Sequence, residues 1–258
     1  MARKDPISHL GRHPTPSPTL VNEVRALGKA AVPRLCAMAT NRAGWAPEGT
    51  PQNNAARSAI YVLRLLRDPD AIPALLEVFL EAPADSAVGR SAAWALPGLG
   101  PTIVEAVMPH ALAGSRWIQA TEVLAECGAR DERIAQRILA VLAEAPAVGA
   151  DAARSYGDET LVGPVQATFD AAVPAGDPSS EELNLLIHLF EVILDLGAAD
   201  EARARRLQLV FARYKGIAQK KEETIARLQS ALTGLSAAGV DVTNAATLNR
   251  VAAGLRRS

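Results

Sequence analysis

Aromatic residues, cysteines and long apolar runs are all scarce in this chain, and each scarcity excludes something. Phe, Tyr and Trp make up 4% of its 258 residues, so its core must be filled mainly by aliphatic side chains. The two cysteines, Cys36 and Cys127, are far apart in sequence. They read as reduced, buried thiols rather than a disulfide framework. The longest mainly apolar run, Leu183 to Leu196, contains Asn184, His188, Glu191 and Asp195. A membrane span needs about 20 apolar residues, so no membrane insertion is expected. The opening MARKDPISHLGRHPTPSPT has no apolar stretch of the length a signal peptide uses, and a cytoplasmic location is expected.

Catalytic motifs are also missing. The four histidines, His9, His13, His110 and His188, form no HExxH pattern. No Cys and His residues are clustered as a zinc site requires. Gly98-Leu99-Gly100 is not preceded by a strand pattern, so it is no dinucleotide fingerprint. No catalytic residue, metal or cofactor is assigned, and the chain leans towards a non-enzymatic role. Period-2 apolar runs of strand length do not stand out, which makes the fold class all-α.

What is present is a repeat. Helical patterns pair around short breaks at Gly28, Arg67, Gly100, Gly128, Gly157 and Gly197, spaced 28 to 40 residues apart. A recurring helix pair of this length is the sign of a solenoid. Gly at five of the six breaks fits a helix end in the left-handed conformation. Pro33, Pro73 and Pro164 follow near the start of the second helix, where a missing N–H costs nothing. Apolar stripes at helical spacing mark both helices: Ala56, Ile60, Leu63 and Leu66, then Ile72, Leu75, Leu76, Phe79 and Leu80. One pair alone cannot bury both stripes, whereas five or six stacked pairs can. Abundant Ala allows close helix approach, and Ala with Arg in excess over Lys is a composition associated with GC-rich bacterial genomes.

The run Arg57-x-Ala59 to Leu66-Arg67-Asp68-Pro69-Asp70-Ala71-Ile72-Pro73-Ala74-Leu75-Leu76 resembles the short bacterial HEAT repeat of the phycobilisome-lyase type. Gly89-Arg90-Ser91-Ala92-Ala93-Trp94-Ala95-Leu96 does too. The resemblance covers residues 19–215. It implies a right-handed α-solenoid of about five to six pairs, with second helices lining the concave side. A flexible, Pro-rich arm is expected over residues 1–18 and capping helices over 216–258. Such repeats serve many roles. The expectation is a protein-binding scaffold using Glu77, Arg133, Gln136, Arg137, Gln166 and Arg206 on the concave face. Trp45, in the loop Asn41 to Asn53, either seals the first pair or serves as an exposed anchor. A HEAT-like DNA glycosylase and a bilin lyase are the enzyme alternatives. Against the glycosylase, Trp94 and Trp117 fall at first-helix positions that usually pack in the core.

Charge is uneven. Residues 1–34 carry net +4, residues 35–202 net −13 and residues 203–258 net +8. Arg203, Arg205, Arg206, Arg213, Lys215, Lys220 and Lys221 form a basic stretch. It offers a second expectation, binding of nucleic acid or another anionic surface. The competing reading is a solvated face, or a basic end that pairs with the acidic middle of its own or a neighbouring molecule.

Overall fold

The computed structural model describes residues 5–45, 47–176, 178–198 and 200–214. The expected capping helices of 216–258 lie outside the described residues, as do Lys215, Lys220, Lys221 and the Arg213 side chain. Among the described residues every regular element is helical and no strand occurs. None of these helices is long and apolar enough to cross a membrane.

The chain divides into two compact units, Met1–Ile134 and Ala135–Ser258. The first holds α1 (Pro18–Arg25), α2 (Val32–Thr40), α3 (Pro51–Leu66), α4 (Ile72–Glu81), α5 (Ala87–Ala95), α6 (Val104–Ala113) and α7 (Trp117–Glu126). The unit boundary falls inside α8 (Glu132–Glu144). The second unit holds the remainder of α8, then α9 (Pro146–Tyr156), α10 (Val162–Ala172), α11 (Ser180–Asp195) and α12 (Glu201–Arg213).

All six breaks read from the sequence have positive φ: Gly28, Gly100, Gly128, Gly157, Gly197 and also Arg67, at φ 54°. Arg67 is the one non-glycine residue in this conformation among those described, and it ends α3 as a left-handed cap. Beyond the break an aspartate restarts the chain. The side chain of Asp68 accepts from Asp70 N, that of Asp158 from Thr160 N, and that of Asp200 from Ala202 N and Arg203 N. Each satisfies amide donors that a helix start leaves open. Ser179 caps α11 in a full capping box with Glu182.

In the first unit, odd and even helices form two rows. α3 packs against α1 and α5, and α5 against α7; α2 packs on α4, and α4 on α6. Cross-contacts α2–α3, α4–α5 and α6–α7 join the rows. Ala56, Ile60 and Leu63 of the predicted α3 stripe are buried, as are Ile72, Leu75 and Phe79 of α4. Each large aliphatic or aromatic side chain so buried contributes roughly 1.5–3 kcal/mol. Ala92, Ala95, Ala120 and Ala125 are buried between helices, as close approach requires. Arg116 ties the rows together: its guanidinium donates to the Phe79 and Ala82 carbonyls, capping the end of α4.

In the second unit α11 packs against α9, α10 and α12. The Phe169 and Phe190 rings meet at 6.1 Å. A Cβ on Gly149 of α9 would overlap the Leu142 backbone of α8, so the glycine sets how closely those helices cross. Pro97 falls in the 3-10 segment Leu96–Ile103 that follows α5, whereas Pro109 is accommodated inside α6.

The arm expectation needs correction over residues 5–10. Pro6–His9 is a 3-10 turn with Ile7 and Leu10 buried, and Asp5 pairs with Arg34. Two apolar side chains in a short charged segment are enough to pin it to the first unit.

Candidate functional site

The most pronounced surface feature lies on the first unit, on the α1–α3–α5 row. Two of the scarce aromatic residues meet there. Tyr61 of α3 and Trp94 of α5 stack nearly parallel, with centroids 5.9 Å apart and planes at 4°. Both stay exposed, at 39% and 44%. Trp94 is therefore not the core residue that its helix position suggested. Val88, Ala92 and Ala95 supply the buried face of α5 and turn Trp94 outwards.

Arg64, one turn beyond Tyr61, lays its guanidinium over the Trp94 ring, 3.6 Å from the centroid. Gly98 makes room for it, since a Cβ there would come within 2.5 Å of Arg64 Cγ. The pair is a cation–π contact.

The aromatic pair borders an open cleft of about 640 Å³. Val21, Asn22 and Arg25 of α1 form one side; Arg57, Ser58, Tyr61 and Leu65 of α3 form the floor; Ser91 and Trp94 of α5 form the far side. Pro14, Thr15, Pro16 and Pro18 close one edge. That edge is positioned upstream: buried Leu10 anchors the segment, and Gly11 lies so close to Pro51 O and Ala55 that any Cβ would collide. A smaller cavity of about 220 Å³ adjoins it, lined by Arg57, Ala87, Arg90, Ser91 and Trp94.

Among the described residues no carboxylate lines either cavity. Arg25 and Arg64 pair with no carboxylate among the described residues. The Arg90 guanidinium donates to the Asp85 carbonyl and to no carboxylate among the described residues, and Arg57 reaches Glu48 at 3.3 Å. Ser58 is 2% exposed and its Oγ has no hydrogen-bond partner; Arg57 Nε is buried and likewise unmatched. A buried polar atom without a partner costs about 1–3 kcal/mol, and both of these belong to residues that line the cleft.

The residues expected from sequence are distributed otherwise. Trp45 is half-buried, and its indole N–H donates to the Ala39 carbonyl at 3.0 Å, sealing the end of α2. This corrects the exposed-anchor reading. Glu77 is on α4 and half-buried. Arg133 donates to Glu105 and Asp131, which drives both carboxyls below their ordinary range. Gln136 and Arg137 lie on α8, and Gln166 on α10, in the second unit. On α12, Arg203 and Arg206 converge on Asp170, Arg206 at 2.7 Å. Arg203 also pairs with Asp200, and Arg205 with Glu201. The described part of the basic stretch is thus matched by its own acids.

Elsewhere in the second unit, His188 Nε2 lies 3.2 Å from Asp151 and Arg154 bridges Asp151 and Asp195. Among the described residues no three His, Cys, Asp or Glu side chains are grouped so as to hold a metal ion. Burial pushes the Cys36 and Cys127 thiols up, which keeps them protonated and unreactive.

Sequence reading missed Tyr61, Arg64 and Arg25 altogether. The available signal was the rarity of aromatics: two in adjacent first helices, one with an Arg three residues on, is an unusual concentration in a chain this poor in rings. No protein-family model, curated protein or solved structure matches this chain.

Proposed function

We propose that the chain is a non-enzymatic binding scaffold: a HEAT-like α-solenoid that holds a protein partner. Its binding surface is the Tyr61–Trp94 cleft, on the first-helix row, rather than the second-helix residues that the repeat resemblance implied. The observation that carries this reading is the exposure of a stacked Tyr–Trp pair beside an open cleft. Aromatic and Arg side chains are the commonest anchors of protein interfaces. Burying 39% and 44% exposed rings also gives a driving force that the isolated exposed leucines, Leu112 and Leu209 among them, do not concentrate in one place.

Affinity capture from native cells, with nuclease present, tests the reading. A stoichiometric protein should be recovered by wild type and by Leu209→Ala, and lost with Tyr61→Ala/Trp94→Ala. Equal recovery with the double variant would remove the cleft from the account. Nucleic-acid binding through the basic stretch is the competing reading, and the pairing of Arg203, Arg205 and Arg206 with carboxylates argues against it for α12.

A further inference from the structure

The two adjoining cavities differ in character, and their difference specifies an occupant. The larger is walled by Pro14, Pro16, Leu65, Tyr61 and Trp94. Its surfaces are flat rings and apolar edges, suited to a proline or an aromatic side chain. The smaller has two arginines, Arg57 and Arg90, in a lining of five residues and holds no acid. Arg57 and Trp94 belong to both. An extended chain crossing this boundary would leave an apolar side chain on one side and an anionic one on the other.

Resting on the scaffold reading, we propose that the cleft takes an extended acidic segment of a partner protein, in which a proline or aromatic residue alternates with glutamate or aspartate. The apolar residue packs against Tyr61 and Trp94. The carboxylates meet Arg57 and Arg90 within the smaller cavity and Arg25 on the opposite side. Ser58 Oγ, buried and unpartnered in the floor, donates to the segment as it enters.

Three observations select a protein segment over other anions. The cleft is only partly enclosed, whereas a small-molecule site encloses most of its ligand. The arginines are few and local, and Arg57 and Arg90 sit in a stretch, residues 35–202, of net charge −13, with Arg25 outside it. That surrounding charge opposes a polyanion, whose affinity grows with every phosphate neutralised, but leaves a short segment with two or three carboxylates free to dock. A guanidinium also accepts a carboxylate in two parallel hydrogen bonds, which fixes register as well as charge.

The test is fluorescence anisotropy with a labelled short peptide alternating Glu with Phe and Pro, its Gln-for-Glu counterpart, and a labelled thymidine oligonucleotide. The full chain is used, and each variant is checked for native circular dichroism. The Glu peptide should bind about tenfold or more tightly than the Gln peptide, weakening as salt screens the rim. Arg25→Glu/Arg90→Glu, both at exposed positions, should weaken it about tenfold or more, and Arg25→Lys/Arg90→Lys should retain most of the affinity. Trp94→Ala should weaken both peptides together. Equal affinity for the Glu and Gln peptides, no binding of the Glu peptide, or tighter binding of the oligonucleotide would each overturn the proposal. If Trp94→Ala abolishes capture of a native protein while charge reversal leaves it unchanged, the scaffold reading stands and only the acidic segment fails.

Discussion

On α12, Arg203, Arg205 and Arg206 each reach a carboxylate, and Asp170 alone serves two of them. Around the Tyr61–Trp94 cleft, Arg25, Arg64 and Arg90 reach none. A count of charges along the chain ranks these regions the wrong way round for anion binding. What sets the cleft apart is guanidinium that no carboxylate among the described residues holds. An arginine committed to its own carboxylate must break that pair before binding another, which removes much of the gain.

The comparison can be broken first at two glycines. Gly149 in the second unit faces backbone, while Gly98 by the cleft faces the movable end of Arg64. Gly149→Ala should cost about 3 kcal/mol, because overpacking against backbone cannot be relieved by a rotamer change; urea unfolding would show it. Asp170→Asn comes next. It removes one of the two carboxylates that Arg203 holds, leaving Asp200, and takes the Asp170 carboxylate from Arg206; it should cost about 1 kcal/mol. The same variant should elute later from heparin, because it releases Arg206 and removes one negative charge from beside Arg203. An unchanged elution would mean that pairing does not restrain α12.

Gly98→Ala should cost no more than about 1 kcal/mol, the size of a partly exposed cation–π contact. It should shift Trp94 emission as Arg64 leaves the ring. The smallest effect is in pH. Arg133 holds Glu105 and Asp131 below their ordinary values of 4.5 and 3.8. Depressed carboxyls stabilise the fold above those values and lose that contribution as pH falls through the folded-state pKa. The loss of stability on Arg133→Gln should therefore be constant near neutrality and shrink below about pH 4.5. Arg25→Gln has no carboxylate to lose, and its effect should stay flat across the same window.

The helical architecture was legible because backbone requirements write themselves into residue type. Gly28, Gly100, Gly128, Gly157 and Gly197 all take the left-handed φ expected of them. Ser179, with Glu182 three residues on, caps α11 in the pattern such a pair of residue types allows. Arg67 shows the limit: the same conformation occurs without the glycine, and only the repeat spacing marks it. The cleft was not legible for a different reason. On α5, small residues occur on every side, so periodicity cannot say which face is buried. The first-helix position of Trp94 points to the core, and the structure exposes it instead. Arginine pairing was illegible as well, because Arg203 and Arg206 find Asp170 on the preceding helix pair, and that is set by packing rather than by local sequence.

The most direct measurement is a side-chain NMR titration of the full chain with the Glu-Phe-Pro peptide, following the indole N–H of Trp94 and the arginine Nε–H signals together. The Trp94, Arg57 and Arg90 signals should move with a single affinity while those of Arg203, Arg205 and Arg206 stay still. Movement on α12 with the cleft signals fixed would contradict the claim that the cleft arginines beside the exposed rings, rather than the arginines of α12, take the acidic segment.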